Sequence, residues 1–472
     1  MTDISEFRKN AYELVDWIAG YYENIEHYPV KSLVKPRDIY NKLPAGPPAK
    51  SEEFEDIMQD FRKIIMPGIT HWQHPDFFAY FPANTSFPSI LGEMLTASLG
   101  TQCMKWETSP AAAELEEAMM NWLKQMTGLP DSFQGVIQDS ASSATLCAIL
   151  SARENATNFR INQNGFTDQK FRVYCSTEAH SSVEKAVKIA GIGSINLVKL
   201  GVDDEFALLP EALDNAIQKD IKDGFTPLCV VAALGTTSST AVDPLGKIAG
   251  ITAKYNVWLH VDAAYAGNVL ILPEYKWMIQ GIENADSMVF NPHKWLFTNF
   301  DCSAYFVKDK DKLVKTFQML PEYLKTKTDG LVNDYSEWGV QLGRRFRALK
   351  LWFVLRSFGV ENLQQMIRNH ISYARYFADE IQKKEKFEIM APVKFALVCF
   401  RYVPKESMSN DELNVMNEKL LQQINSSGKI YLSHTKLNGK FTLRLQTGQT
   451  NVQLRHVEEA LKLIEEMAGK LD

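Results

Sequence analysis

Apolar positions recur at helical spacing from the start of the chain, with Phe7, Ala11, Leu14, Val15 and Ile18 on one face of a predicted helix. Prolines at 29, 36, 44, 47 and 48 then keep the chain extended. A second helix is predicted from Ser51 as N-cap, with Glu52 and Glu53 in its first turn. Its stripe is Phe54, Ile57, Met58, Phe61, Ile64 and Ile65. Two amphipathic helices on a proline tether cannot bury their own faces, so they must pack on something else, a partner subunit being a good candidate.

From about residue 83 the pattern changes. Ser109-Pro110 opens a helix with proline at its first position, and Gly128-Leu129-Pro130 closes it. Short, nearly continuous apolar runs then alternate with helices: 171–175, 195–200, 228–234, 257–262, 287–290 and 304–307. Such runs predict a mainly parallel sheet buried on both faces, with ligands beyond the carboxyl ends of its strands. After about residue 345 a long helix (361–384), strands near 387–390 and 397–402, and a final helix (452–468) predict a small α+β domain. Asn438-Gly439 predicts a hairpin turn between strands 429–432 and 441–445. The expected division is an N-terminal helical segment (1–82), a large α/β domain (83–345) and a small C-terminal domain (346–472).

Composition narrows the function classes. A net charge of -6 gives no footprint for nucleic acid or an anionic membrane. No apolar run approaches the roughly 18 residues that span a bilayer. The first residues lack the apolar core of a signal peptide, and six cysteines are scattered without metal-ligand or redox spacing. A cytoplasmic enzyme without a metal is expected, with a small molecule as its ligand.

Two strand ends carry the candidate chemistry. The run Val257-Trp258-Leu259-His260-Val261 ends in Asp262, followed by Ala263-Ala264-Tyr265. The run Met288-Val289-Phe290 leads into Asn291-Pro292-His293-Lys294-Trp295. A lone lysine is usually a solvated surface group, and a lone aspartate there is usually a strand-end cap. Together they suit a pyridoxal phosphate enzyme, in which the amine forms a Schiff base with the cofactor aldehyde and the carboxylate partners the pyridine nitrogen. Asp139-Ser140-Ala141-Ser142-Ser143 runs from a strand into a helix start and offers free backbone amides to a phosphate, provided that Asp139 points away. Ser287 and Asn291 could add donors. His180, beyond the 171–175 strand, is either a structural hydrogen-bonding group or a ring stacked on a cofactor.

Several stretches together resemble the group II pyridoxal phosphate decarboxylases, specifically the aromatic L-amino acid decarboxylase family. They are His71-Trp72-Gln73-His74-Pro75, Phe77-Phe78-Ala79-Tyr80-Phe81-Pro82, Ser109-Pro110-Ala111-Ala112 with Glu114-Leu115-Glu116, and Ala179-His180-Ser181-Ser182-Val183-Glu184. Leu234-Gly235-Thr236-Thr237, His260-Val261-Asp262-Ala263-Ala264-Tyr265-Ala266-Gly267, the segment around Lys294, and Leu342-Gly343-Arg344-Arg345-Phe346-Arg347 complete the set. The resemblance implies a fold-type I transferase-like architecture with a seven-stranded sheet. It also implies a homodimer whose active sites lie at the subunit interface.

Residue by residue, it implies Lys294 as the Schiff-base lysine and Asp262 as the pyridinium partner, with His180 and Ala264 on opposite faces of the ring. Ser140, Ala141, Ser287 and Asn291 would hold the phosphate, and Thr237 and His293 would lie near the reacting centre. Trp72, Tyr80, Phe81 and Pro82 match the substrate-pocket segment. Gln102 and Met104 would close the pocket from the other subunit, although Thr101-Gln102-Cys103-Met104-Lys105 departs from the more apolar animal members, as Ala83 does from their threonine. Pro321-Glu322-Tyr323-Leu324-Lys325 matches a mobile loop whose tyrosine protonates the α-carbon.

Tyr323 and His180 together imply simple decarboxylation to an amine, since phenylalanine at the former position accompanies oxygen-consuming aldehyde synthases. Gly343 stands where tyrosine-type relatives have serine, so tryptophan is the favoured substrate, with DOPA, 5-hydroxytryptophan, phenylalanine and tyrosine as co-substrates. Aldehyde synthesis and a tyrosine preference are the alternatives. An acidic-amino-acid decarboxylase would need a cationic pocket in place of Trp72, Tyr80 and Phe81, and a catalytically silent scaffold would not need Lys294, Asp262, His180 and Tyr323 together.

Overall fold

A computed structural model describes residues 3–319, 331–405 and 407–471. The chain divides into two compact units, one of residues 81–372 and 391–398, the other of residues 1–80, 373–390 and 399–472. The N-terminal segment and most of the C-terminal domain, expected as separate pieces, therefore form one unit. The division falls inside the helix 360–382, which a break at Gly359 (φ 69°, ψ 162°) separates from the helix before it, not at the expected 345/346 boundary.

The larger unit is built on seven strands: Gln134–Gln138 (β1), Phe171–Ser176 (β2), Leu197–Leu200 (β3), Thr226–Ala233 (β4), Trp258–Asp262 (β5), Ser287–Phe290 (β6) and Ser303–Val307 (β7). Their order is β1-β7-β6-β5-β4-β2-β3, and β7 alone runs against its neighbours. The central strands are almost wholly buried, which is why they read as unbroken apolar runs rather than alternating ones. Asp262 pairs with Ala233 on β4 and Val289 on β6, so three strands finish level with one another at the same edge.

A buried ion pair ties this sheet to the chain far from it in sequence. Arg344 grips Glu116 through both terminal nitrogens (2.6 and 3.0 Å) and donates to the Ile137 and Cys103 carbonyls, while Glu116 accepts from the Ile137 N–H. With every partner satisfied, this network fixes the segment around Gly343 against β1 and the helix Pro110–Thr127.

In the smaller unit Phe387–Ile389 (β8), Leu397–Tyr402 (β9), Ser433–Leu437 (β10) and Lys440–Gln446 (β11) form a sheet in the order β10-β11-β9-β8. Asn438 and Gly439 both take positive φ (49° and 76°) between β10 and β11, the geometry of a tight two-residue turn. The expected partner strand at 429–432 is displaced to Ser433–Leu437 because that turn requires the strands to abut it directly. The second helix starts at Phe54, with Glu53 rather than Ser51 at its cap. Backbone hydrogen bonds from Val30 to Gly428, Phe78 to Tyr431 and Gln446 to Phe78 stitch the extended N-terminal chain to this unit.

Asp76 lies in this stitched region, only 15% exposed, and its Oδ1 has no hydrogen-bond partner among the described residues. Burial, reinforced by the charges of Glu459 and Glu26 and opposed by Arg455, pushes its carboxyl up to about 7. The unfolded chain ionises first as pH rises, so this group's contribution to stability is intact below about pH 4, declines up to about 7 and then stays low. Asp76→Asn is therefore expected to raise the unfolding free energy at pH 8 by about 1–3 kcal/mol, and by less than half as much at pH 5. Urea unfolding of both proteins at the two pH values measures the difference.

Candidate active site

The strands β4, β5 and β6 end around a cavity of about 200 Å³. Lys294 enters it from the short helix Pro292–Trp295 that follows β6, and Asp262 from the end of β5. Asn84 pins the lysine's backbone by donating from its side chain to the Lys294 carbonyl (2.8 Å) and from its N–H to the His293 carbonyl (3.0 Å). Burial lowers the Lys294 pKa, and Asp262 opposes the shift. Desolvation thus favours the neutral, nucleophilic amine. The Asp262 Oδ1 is steadied by the Ala264 N–H at 3.1 Å.

Two histidines share the cavity. His180, in the turn after β2, accepts from the Ser182 N–H at Nδ1 (3.1 Å), which leaves Nε2 to carry the proton. Burial lowers its pKa, with Asp262 opposing and Lys294 reinforcing. His293 likewise accepts at Nδ1 from the Cys302 N–H (2.9 Å), and burial followed by Lys294 pushes it down to about 3. Both rings are neutral donors at neutral pH.

The far end of the cavity is the start of the helix Ala141–Ala156. Ser140 caps it by accepting from the Ser143 N–H, and Ser140, Ala141 and Ser142 line the space. Asp139 is turned aside, accepting from the Ser140 hydroxyl and from the Gln341 amide. Asn291 also lines the cavity, and its side-chain oxygen is buried without a hydrogen bond. Reversal of that amide presents an NH₂ donor instead. Gly235 sits in the β4 turn at φ 89°, where a Cβ would lie 2.6 Å from that of Ala266.

Ala264, Thr237 and Phe81 complete the expected residues brought together here. Ser287 is not among them. It begins β6, four residues before Asn291, and its hydroxyl is fully buried between Trp258 (3.1 Å) and His260 (2.9 Å). Pro82 is also absent from the lining. Gln102, Met104 and Gly343 lie in the same unit but outside that lining: the Gln102 Oε1 accepts from the Arg344 N–H beside Gly343 (2.7 Å), and the Met104 carbonyl accepts from the Ser336 N–H (2.8 Å). Trp72 and Tyr80 belong to the smaller unit, where their rings stack at 5.8 Å and Tyr80 meets the Tyr431 hydroxyl. Tyr323 and its loop lie outside the described residues. Sequence reasoning missed Ser142, Ser182, Thr236 and Asn84. Ser142, Ser182 and Thr236 lie within the hydroxyl-rich run 139–143 and the motifs that carry the resemblance, close to residues expected at the site, whereas Asn84 lies in none of them.

A buried amine, a facing carboxylate, neutral imidazoles and a hydroxyl-rich helix start fit pyridoxal phosphate, and define a pyridoxal phosphate enzyme of the α/β class. Among the described residues no group of side chains could hold a metal, and no helix is long and apolar enough to cross a membrane. The family model for the pyridoxal-dependent decarboxylase conserved domain matches residues 36–403. The chain is 44% identical to a phenylacetaldehyde synthase from Arabidopsis thaliana, covering 99% of this chain and 97% of that one. It is 43% identical to tyrosine decarboxylase 2 from Narcissus pseudonarcissus, covering 99% and 94%. The crystal structure of Catharanthus roseus tryptophan decarboxylase in complex with L-tryptophan superposes with a TM-score of 0.94 at 40% identity, covering 100% and 99%. The chain belongs to the pyridoxal-dependent decarboxylase family. It is a carboxy-lyase, and pyridoxal phosphate is its cofactor.

Lys294→Ala is expected to leave the fold intact and abolish the visible absorbance that marks covalently held cofactor. Spectra of the purified variant with and without added pyridoxal phosphate test this; retention of the wild-type band would exclude Lys294 as the attachment point.

Proposed function

We propose that this enzyme converts aromatic L-amino acids to their amines and carbon dioxide, with tryptophan favoured. The observation that carries the aromatic assignment is Phe81, whose ring lines the cavity with Lys294 Nζ 5.4 Å from its centre. An aromatic wall beside the reactive amine suits a flat ring and offers no cation to an acidic side chain. The relatives named above act on aromatic compounds, which supports the same reading.

In this proposal Lys294 would hold the cofactor, Asp262 would partner its ring nitrogen, and His180 and Ala264 would lie beside it. Ser140, Ala141 and Asn291 would hold its phosphate. Bound pyridoxal phosphate supplies an electron sink for the pair released as the α-carboxylate departs. Thr237 and His293 offer donors near the reacting carbon, and Tyr323 delivers a proton to it. Phe81, which lines the cavity, selects the aromatic side chain.

The tryptophan preference rests on Gly343. A Cβ there would stand 3.2 Å from the Gln102 amide, so glycine keeps room that serine would take. Such a difference is worth roughly 1–3 kcal/mol, a preference rather than a gate. A second reading, oxidative conversion to an aldehyde, draws support from the 44% identity to phenylacetaldehyde synthase. Tyr323 and His180 favour the amine. Purified enzyme supplied with tryptophan, tyrosine, DOPA and phenylalanine is expected to release amine without aldehyde or peroxide, with the highest kcat/KM on tryptophan. Aldehyde with peroxide would establish the second reading, and a strong tyrosine preference would remove the role given to Gly343.

We further propose a homodimer with shared active sites. Phe87, Leu91, Leu95 and Leu99 form an exposed apolar stripe on the helix Phe87–Leu99, and Phe7, Leu14 and Val15 are exposed on Ile4–Glu23. Faces of this kind call for a cover. Gln102 and Met104, which lie outside the lining of their own chain's cavity, would then serve the partner's. Light scattering is expected to give twice the chain mass; a monomer with full activity would contradict the shared site.

A further inference from the structure

We propose that His370 is a positioning residue for this reaction: through the indole of Trp295 it fixes a stack of three rings whose last member, Phe81, walls the Lys294 cavity. The inference rests on the decarboxylase reading above and extends it to a residue remote from the cavity.

Trp295 directly follows Lys294 and is fully buried. Its indole N–H donates to His370 Nδ1 at 3.0 Å, from a histidine on the helix 360–382, which follows a break at Gly359 (φ 69°). An indole nitrogen can only donate, so His370 Nδ1 must be the unprotonated nitrogen of the ring. Burial pushes the His370 pKa down to about 3, so this acceptor persists at every working pH. The Trp295 ring lies 8° from the plane of Tyr265 at 4.6 Å. Tyr265 in turn lies 8° from the plane of Phe81 at 3.9 Å. Three near-parallel rings thus run from the helix to the cavity, and both Tyr265 and Phe81 line it.

Stacking sets the tilt between neighbouring rings, whereas a hydrogen bond at one edge sets an angle within the ring plane. The Trp295–His370 bond is the directional contact at the buried end of the stack. Loss of the acceptor strands a buried donor, and the indole must turn to find another partner. That rotation propagates to Phe81 through ring contact. The contact Phe81 makes with a substrate ring persists from ground state to transition state, so its disturbance raises KM more than it lowers kcat.

The test uses four holoenzyme variants: His370→Leu, His370→Asn, Trp295→Phe and the double variant His370→Leu/Trp295→Phe. Asparagine places an acceptor near the position of Nδ1; leucine does not. His370→Leu is expected to raise KM for the preferred aromatic amino acid roughly five- to tenfold with kcat within about twofold. It is also expected to weaken the near-ultraviolet circular dichroism of the buried aromatic rings. His370→Asn should keep both within about twofold of wild type, and His370→Leu should add nothing once Trp295 is phenylalanine. The proposal is overturned if His370→Asn is as impaired as His370→Leu, if the two single effects add in full, or if folded His370→Leu changes neither KM nor dichroism. Should His370→Leu fail to fold, Trp295→Phe must by itself reproduce the KM rise, and an unchanged KM there overturns the proposal equally. The dichroism series reads the stack without turnover, so an absence of amine in wild type would refute the decarboxylase reading and leave this one testable.

Discussion

Desolvation of one amine opposite one carboxylate sets the requirements that the surrounding chain meets. In water Lys294 would be protonated and unreactive; buried at the strand edge, its charged form loses hydration that Asp262 only partly replaces. Keeping those two groups apart, yet in one cavity, demands that β5 and β6 end level, which their pairing of Asp262 with Val289 enforces. Asn84 holds the lysine's own backbone from outside the sheet. The histidines follow the same logic, since a backbone N–H on each Nδ1 keeps the ring neutral and adds no further positive charge beside the amine.

Much of this was legible in the chain. Strands buried on both faces are nearly continuous apolar runs, and β2, β5 and β6 begin and end within a residue of where those runs do. Because ligands gather at the carboxyl edge of such sheets, the sequence alone pairs Asp262 with Lys294. The hairpin was only half legible. Ser433–Leu437 is polar and partly exposed, so its pattern hid behind the more apolar 429–432, although Asn438-Gly439 marked the turn itself.

Ser287 shows where reading by motif fails. It lies close to Asn291 in sequence, but an extended strand separates them by roughly 13 Å at about 3.3 Å per residue. Its hydroxyl serves Trp258 and His260 at the opposite end of β6. Contacts between distant segments were illegible for a different reason. Nothing local in Arg344 signals Glu116, and nothing in His370 signals Trp295, because each pairing exists only after the helices and sheet have assembled.

Those long-range contacts also separate chemistry from selectivity. The reactive groups stand on strand ends and tight turns, where the sheet leaves them little freedom. Gln102, Met104 and Gly343, to which we assign substrate preference, stand on loops held by the Arg344–Glu116 pair. A side chain gained or lost at position 343 meets the flexible end of Gln102 rather than backbone, so the loop can absorb it by a rotamer change. The Lys294–Asp262 geometry has no such slack, because its neighbours are paired strands. A chain built this way can shift among aromatic substrates through its loops while the strand-end chemistry stays fixed. That is the arrangement expected if related sequences decarboxylate tyrosine in one case and tryptophan in another.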